Sequence, residues 1–100
     1  MVKILYAVID ERKKEGFEVS RIVASGEYEI MLFETRASFE VGGEMREYPP
    51  CTCILYQPGQ RVHYRSSGEG LVYSRIQFHC DEALYRSGFL PFGVPVFCLD

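Results

Sequence analysis

The sequence predicts a mainly β fold, a single antiparallel β-barrel or jelly roll over about residues 17 to 80, with short flanking helices. Three observations carry that reading. Runs rich in β-branched and aromatic residues recur along the chain, such as YEIMLFETR at residues 28 to 36. Turn signals at Gly26, Gly42-Gly43, Pro58-Gly59 and Ser67-Gly68 separate them at the close spacing of a sandwich or small barrel. The longest run, LVYSRIQFHC at residues 71 to 80, alternates polar and apolar side chains with the period of a strand. One hundred residues, 47% of them apolar and 25% charged, suit one domain over residues 1 to 100 with a core of its own.

The opening residues read as the first flanking helix. Val2, Leu5, Tyr6 and Ile9 fall at helical spacing, Arg12, Lys13 and Lys14 supply a cationic last turn, and Gly16 follows as a stop. Val2, Ile4, Tyr6 and Val8 also alternate, so a strand is the competing reading. From Phe17 onward strands take over. FEVSRIVA runs into Gly26, and YEIMLFETR follows it. ASFEV and EMREY flank Gly42-Gly43, a hairpin signal because two glycines accept positive φ. CTCILYQ leads to Pro58-Gly59, the pair a type II turn requires, and RVHYR reaches the turn SSGEG ahead of the longest strand. After Cys80, DEALYRSG offers Asp81 as an N-cap and Gly88 as a stop for the second short helix. The tail FLPFGVPVFCLD carries two prolines and suits an extended segment outside the centre of a sheet.

The formal net charge is −3, which argues against this chain gripping a nucleic-acid backbone, since that needs a clustered basic surface. The first apolar run contains Lys3 and ends in Asp10-Glu11, so neither a signal peptide nor a membrane span is expected. The four cysteines, Cys51, Cys53, Cys80 and Cys98, lack the paired spacing of zinc ribbons and read as small buried apolar residues of a cytoplasmic protein. No Gly-x-Ser-x-Gly elbow occurs, and no serine or cysteine has an identifiable His-carboxylate partner. An enzyme is not expected.

Candidate binding residues lie on the longest strand. Tyr73, Arg75, Gln77 and His79 share one face, while Val72, Ser74, Ile76, Phe78 and Cys80 share the other. The polar face either meets solvent or lines a small-molecule pocket as its few convergent polar groups. Tyr64 offers a flat apolar ring and a hydroxyl, and lies on the opposite face of its strand from His63. Glu34, on the strand face of Tyr28, Ile30 and Leu32, is either an exposed acid or a partner for Arg75. Arg75 could bind an anionic ligand through a bidentate fork.

Residues 28 to 80 resemble the cupin-like sensor domain of AraC-type transcription regulators. The resemblance lies in an ordered set. YEIMLFETRASFEV reaches the glycine hairpin, EMREYPPCTCILYQPGQRVHY follows with His63 four residues after Gly59, and a long strand ends in IQFHC. Pro49-Pro50 stands where such regulators carry a first Pro-Gly. LPFGVPVFCLD is similar to the segment that joins such a barrel to its following helices, and the end at Asp100 suggests an excised domain lacking its linker and DNA-binding part.

The resemblance implies an effector-sensing and dimerisation domain that holds a small molecule inside the barrel and acts as a homodimer. DNA would be bound only through an absent helix-turn-helix domain. It also implies that Glu34, Tyr64, Tyr73, Arg75 and Gln77 turn inward as ligand-binding residues, with His63 near the rim. No cofactor is expected. The alternative is a minimal metal-dependent cupin enzyme using His63, His79 and one of Glu34, Glu40 or Glu47. The segment TRASFEVGGEMREYP, where the first metal motif would fall, has no histidine, and a catalytic metal generally needs three protein ligands.

Overall fold

The computed structural model describes residues 2 to 80 and 92 to 97, and among these every regular element is a strand. In chain order they are β1 (Lys3–Lys13), β2 (Glu18–Ile22), β3 (Glu27–Phe33), β4 (Ala37–Val41), β5 (Glu44–Tyr48), β6 (Thr52–Tyr56), β7 (Arg61–Ser66), β8 (Leu71–His79) and β9 (Val96–Phe97). They form two sheets with strand orders β1-β8-β3-β6-β9 and β2-β7-β4-β5. All named strand pairs are antiparallel.

The turns follow local chemistry. Gly42 and Gly43 take φ of 60° and 84°, the left-handed pair that joins β4 to β5 with a twist matching the strands. Gly70 also has positive φ, and a Cβ there would sit 2.8 Å from the Lys13 carbonyl oxygen, so only glycine fits ahead of β8. Cys51 adopts φ of 63° in the Pro49-Pro50-Cys51 turn, so a cysteine occupies a conformation that normally calls for glycine.

The core lies between the sheets. Met31 and Phe33 of β3, Ile54 and Tyr56 of β6, and Leu71 and Tyr73 of β8 are buried with Phe39 of β4 and Val62 and Tyr64 of β7. Phe33 stacks on Phe39 with ring centroids 4.8 Å apart, and Phe39 stacks on Tyr48 at 4.2 Å. Each such buried ring contributes about 2–3 kcal/mol through the apolar area it withdraws from water. The other face of the five-stranded sheet is covered as well. Tyr28 stacks on Phe78 at 5.5 Å, and Phe92 joins them, held by the Gly93 amide donating to the Leu55 carbonyl at 2.7 Å.

Two expectations about the architecture are corrected. The residues expected to form the first helix are β1, paired with β8 from Lys3↔His79 to Lys13↔Leu71. Their apolar positions fit both periods, and a strand satisfies its backbone along β8 where β-branched and aromatic side chains pack well. The cations and Gly16 lead into a turn, in which the Phe17 amide donates to the Lys14 carbonyl at 3.2 Å. Nor is there one closed barrel. Among the described residues the sheets are separate and keep open edges at β1, β9, β2 and β5. The expected second helix at residues 81 to 88 lies outside the described residues. The proline-bearing tail supplies only the short edge strand β9, where a missing ladder donor is tolerated.

Candidate functional site

Register places a polar row across the inner face of the five-stranded sheet. Tyr56 of β6 lies opposite Glu29 of β3, Glu29 opposite Gln77 of β8, and Gln77 opposite Tyr6 of β1. In the adjacent row Met31 is opposite Arg75, and Arg75 opposite Val8. From the facing sheet, Arg21 of β2 reaches across, its Nη2 donating to Glu29 Oε2 at 2.6 Å. One end of the interior is therefore polar, and the other is filled by the aromatic stack around Phe33 and Phe39.

Burial makes this polar end unusual. Glu29 is fully buried and Tyr56 nearly so, yet Glu29 Oε1, the Tyr56 hydroxyl and Arg75 Nε have no hydrogen-bond partner among the described residues. An unmet buried polar atom costs about 1–3 kcal/mol, so three in one region call for a reason. The Arg75 guanidinium rests over the Tyr6 ring, its Cζ 4.5 Å from the centroid, which stabilises the charge without using its donors. Burial lowers the affinity of Arg21 for its proton, but the Glu29 carboxylate outweighs it and holds Arg21 above its usual value. Burial pushes the Tyr56 phenol well up, and the Glu29 charge adds to it. Burial does the same for Tyr64, reinforced by Tyr73. Both phenols therefore stay protonated at neutral pH. The site offers donors from Arg75 and the phenols and an acceptor from Glu29.

The residues expected to bind ligand fall in three places. Tyr64, Tyr73, Arg75 and Gln77 all turn to the interior, Tyr64 and Tyr73 edge to face with centroids 5.7 Å apart. Glu34 does not join them. It lies on the outer side, where Ser74 Oγ donates to Glu34 Oε2 at 3.3 Å and also accepts from the Asp10 amide. The Asp10 carboxylate beside it raises the Glu34 carboxyl above its usual range. Both line an open groove of about 520 Å3 with Ile9, Ile30, Leu32 and Ile76. His63 is not at an interior rim either. It is on the outer face of the four-stranded sheet, its Nε2 2.6 Å from Glu18 Oε2, and that contact holds Glu18 below its usual range.

Arg21, Glu29, Tyr56 and Tyr6 were missed by sequence reasoning. Glu29 shares strand parity with Met31 and Phe33, but Tyr28, Ile30 and Leu32 on the other parity are equally apolar, and both faces of β3 are covered. A signal existed only in the placing of Glu29 inside the aromatic and aliphatic run YEIMLF. The metal-dependent alternative loses its geometry. His63 belongs to the four-stranded sheet and faces outward, whereas His79 ends β8 of the other sheet beside Gly26. Among the described residues no three His, Cys, Asp or Glu side chains gather to hold a metal ion.

Comparison with solved structures agrees with two facing sheets of this topology. One similar structure is a de novo designed double-stranded β-helix, 18% identical with a TM-score of 0.50, the match covering 79% of this chain and 99% of that one. A second is the Cupin_2 domain of an XRE family transcriptional regulator from Enterobacter cloacae, 16% identical with a TM-score of 0.54, covering 81% of this chain and 96% of that one. The fold is a double-stranded β-helix. No family model and no curated protein matches the chain. The AraC-type resemblance is corrected: a regulator whose domain shares this fold is of XRE type, and among the described residues the sheets do not close into a barrel. The motifs that suggested it are turn and strand signals that a double-stranded β-helix needs in any family. Among the described residues no helix is long and apolar enough to cross a membrane.

Proposed function

We propose that this chain is a small-molecule-binding module of a regulatory protein, taking its ligand at the polar end of the interior. The observation that carries the reading is the set of three buried polar atoms, Glu29 Oε1, Tyr56 Oη and Arg75 Nε, that no described residue satisfies. A ligand that donates to the carboxylate and accepts from the guanidinium and the Tyr56 phenol would meet all three, with Tyr64 and Tyr73 as apolar walls and Tyr6 beside Arg75. Polyols, hydroxy acids and amino acids have that chemistry. The use of the same fold in a transcriptional regulator supports a sensing role. The net charge of −3 supports DNA contact, in any such protein, through a different domain. Binding rather than catalysis is the role proposed.

Titration calorimetry with glycerol, lactate and serine as probes tests the reading. A probe that binds should lose about tenfold in affinity, one hydrogen bond to a charged group, in Tyr56→Phe or Arg75→Met, and should be indifferent to Glu34→Gln. Sensitivity to Glu34→Gln with indifference to Tyr56→Phe would move the site to the outer groove beside Asp10 and Glu34, which Arg75 also lines.

A further inference from the structure

The N-terminal strand carries a second kind of information. β1 is eleven residues long, pairs with β8 along one edge, and among the described residues has no strand on the other. Long open edges invite pairing with another chain, and proteins usually blunt them with charges along their length. Here the charges stand only at the ends, Lys3 at one and Asp10 to Lys13 at the other. Between and beside them the exposed side chains are large and apolar. Ile4 is 56% exposed and Ile9 69%, with Val2, Leu5 and Tyr6 exposed as well. Among the described residues the other large exposed apolar side chains are Ile22 and those of the 94 to 97 segment. β1 is thus an unpaired backbone edge and an apolar strip at once.

We propose that β1 is a self-association surface, on which a second copy of this chain pairs antiparallel about a twofold axis near Ala7. Charge selects both the partner and the direction. With the axis at Ala7, Lys3 of each copy lies opposite Glu11 of the other, Ile4 opposite Asp10, Leu5 opposite Ile9, and Tyr6 opposite Val8. Shifting the axis to Val8 sets Lys3 against Lys13, and shifting it to Tyr6 sets Lys3 against Ile9, so among these only the Ala7 axis gives Lys3 an acid. Parallel pairing sets like charges together, and in antiparallel strands directly opposed residues interact most strongly. The bulges of β1, between Ile4 and Tyr6 and between Val8 and Glu11, leave the regular stretch on the axis. The contact is isologous, so every favourable pair occurs twice, and the two five-stranded sheets become one continuous sheet.

Sedimentation equilibrium of the chain over a concentration series tests this. The expected result is a dimer whose dissociation constant rises about tenfold in Lys3→Glu and in Glu11→Lys, since each reversal acts at two symmetric places. The charge-swapped double variant Lys3→Glu/Glu11→Lys should return close to the parent value, a recovery that misfolding would not produce. A chain that stays monomeric throughout overturns the proposal, and that includes the case in which β1 serves a different protein. A dimer indifferent to both single reversals, or one not restored by the swap, overturns it equally.

Discussion

Arg21 Nη2 lies 2.6 Å from Glu29 Oε2, an ion pair that ties β2 of one sheet to β3 of the other across the interior. The carboxylate is fully buried, while about a quarter of the arginine side chain is exposed. The pair therefore has one end in the core and one that water reaches.

Removing Arg21 strands a buried carboxylate. Arg21→Met should destabilise the fold by about 2–3 kcal/mol, somewhat below the usual cost of breaking a fully buried pair because water can partly replace the guanidinium. Arg21→Met/Glu29→Gln should recover part of the loss. Urea unfolding of the two variants against the parent measures both changes.

Cys51 stores backbone strain. At φ of 63° its Cβ crowds the backbone, while its amide donates to the Phe33 carbonyl at 2.8 Å and keeps the turn in place. Cys51→Gly should relieve about 1 kcal/mol of strain and return part of it through the freer unfolded chain, for a net gain of about 0.5 kcal/mol. Cys51→Ala keeps the Cβ and should show no such gain. Thermal unfolding of the pair separates conformation from loss of the thiol.

Glu34 makes stability depend on pH in the direction opposite to an ordinary ion-paired acid. Its folded carboxyl holds its proton more tightly than the unfolded one, because Asp10 lies beside it. The stability it contributes is full below the unfolded carboxylate range and is lost as pH rises through the raised folded value. Glu34→Gln should therefore raise the melting temperature at neutral pH, by about 2 °C, and leave it unchanged in acid. A lower melting temperature at neutral pH would mean that the ionised carboxylate is a favourable contact.

Much of the β architecture was legible in the residues, and the reasons are local. Gly42-Gly43 and Pro58-Gly59 are turn chemistry, and the alternation of LVYSRIQFHC placed Tyr73, Arg75 and Gln77 on one face. What failed was non-local. β1 reads as helix or strand by spacing, and only β8 decides between them. Glu34 was expected inside through the resemblance to a sensor barrel, and the parity of β3 could not test that, because this central strand has its second face covered by Phe78 and Phe92. Alternation orients a strand with one wet face and is silent for a strand with none. For the same reason the most buried acid, Glu29, escaped notice.

The central claim is that the polar atoms of the interior are held for a ligand and do not support the fold, and the stability of Tyr56→Phe without ligand tests it most directly. A buried tyrosine hydroxyl that bonds within the protein costs stability when removed, about 1 kcal/mol. Among the described residues the Tyr56 hydroxyl has no such bond, so its removal should relieve a desolvation penalty and raise stability by about 1 kcal/mol in urea unfolding. A fall of about 1 kcal/mol or more would contradict the account, because the hydroxyl would then already be engaged in holding the fold together.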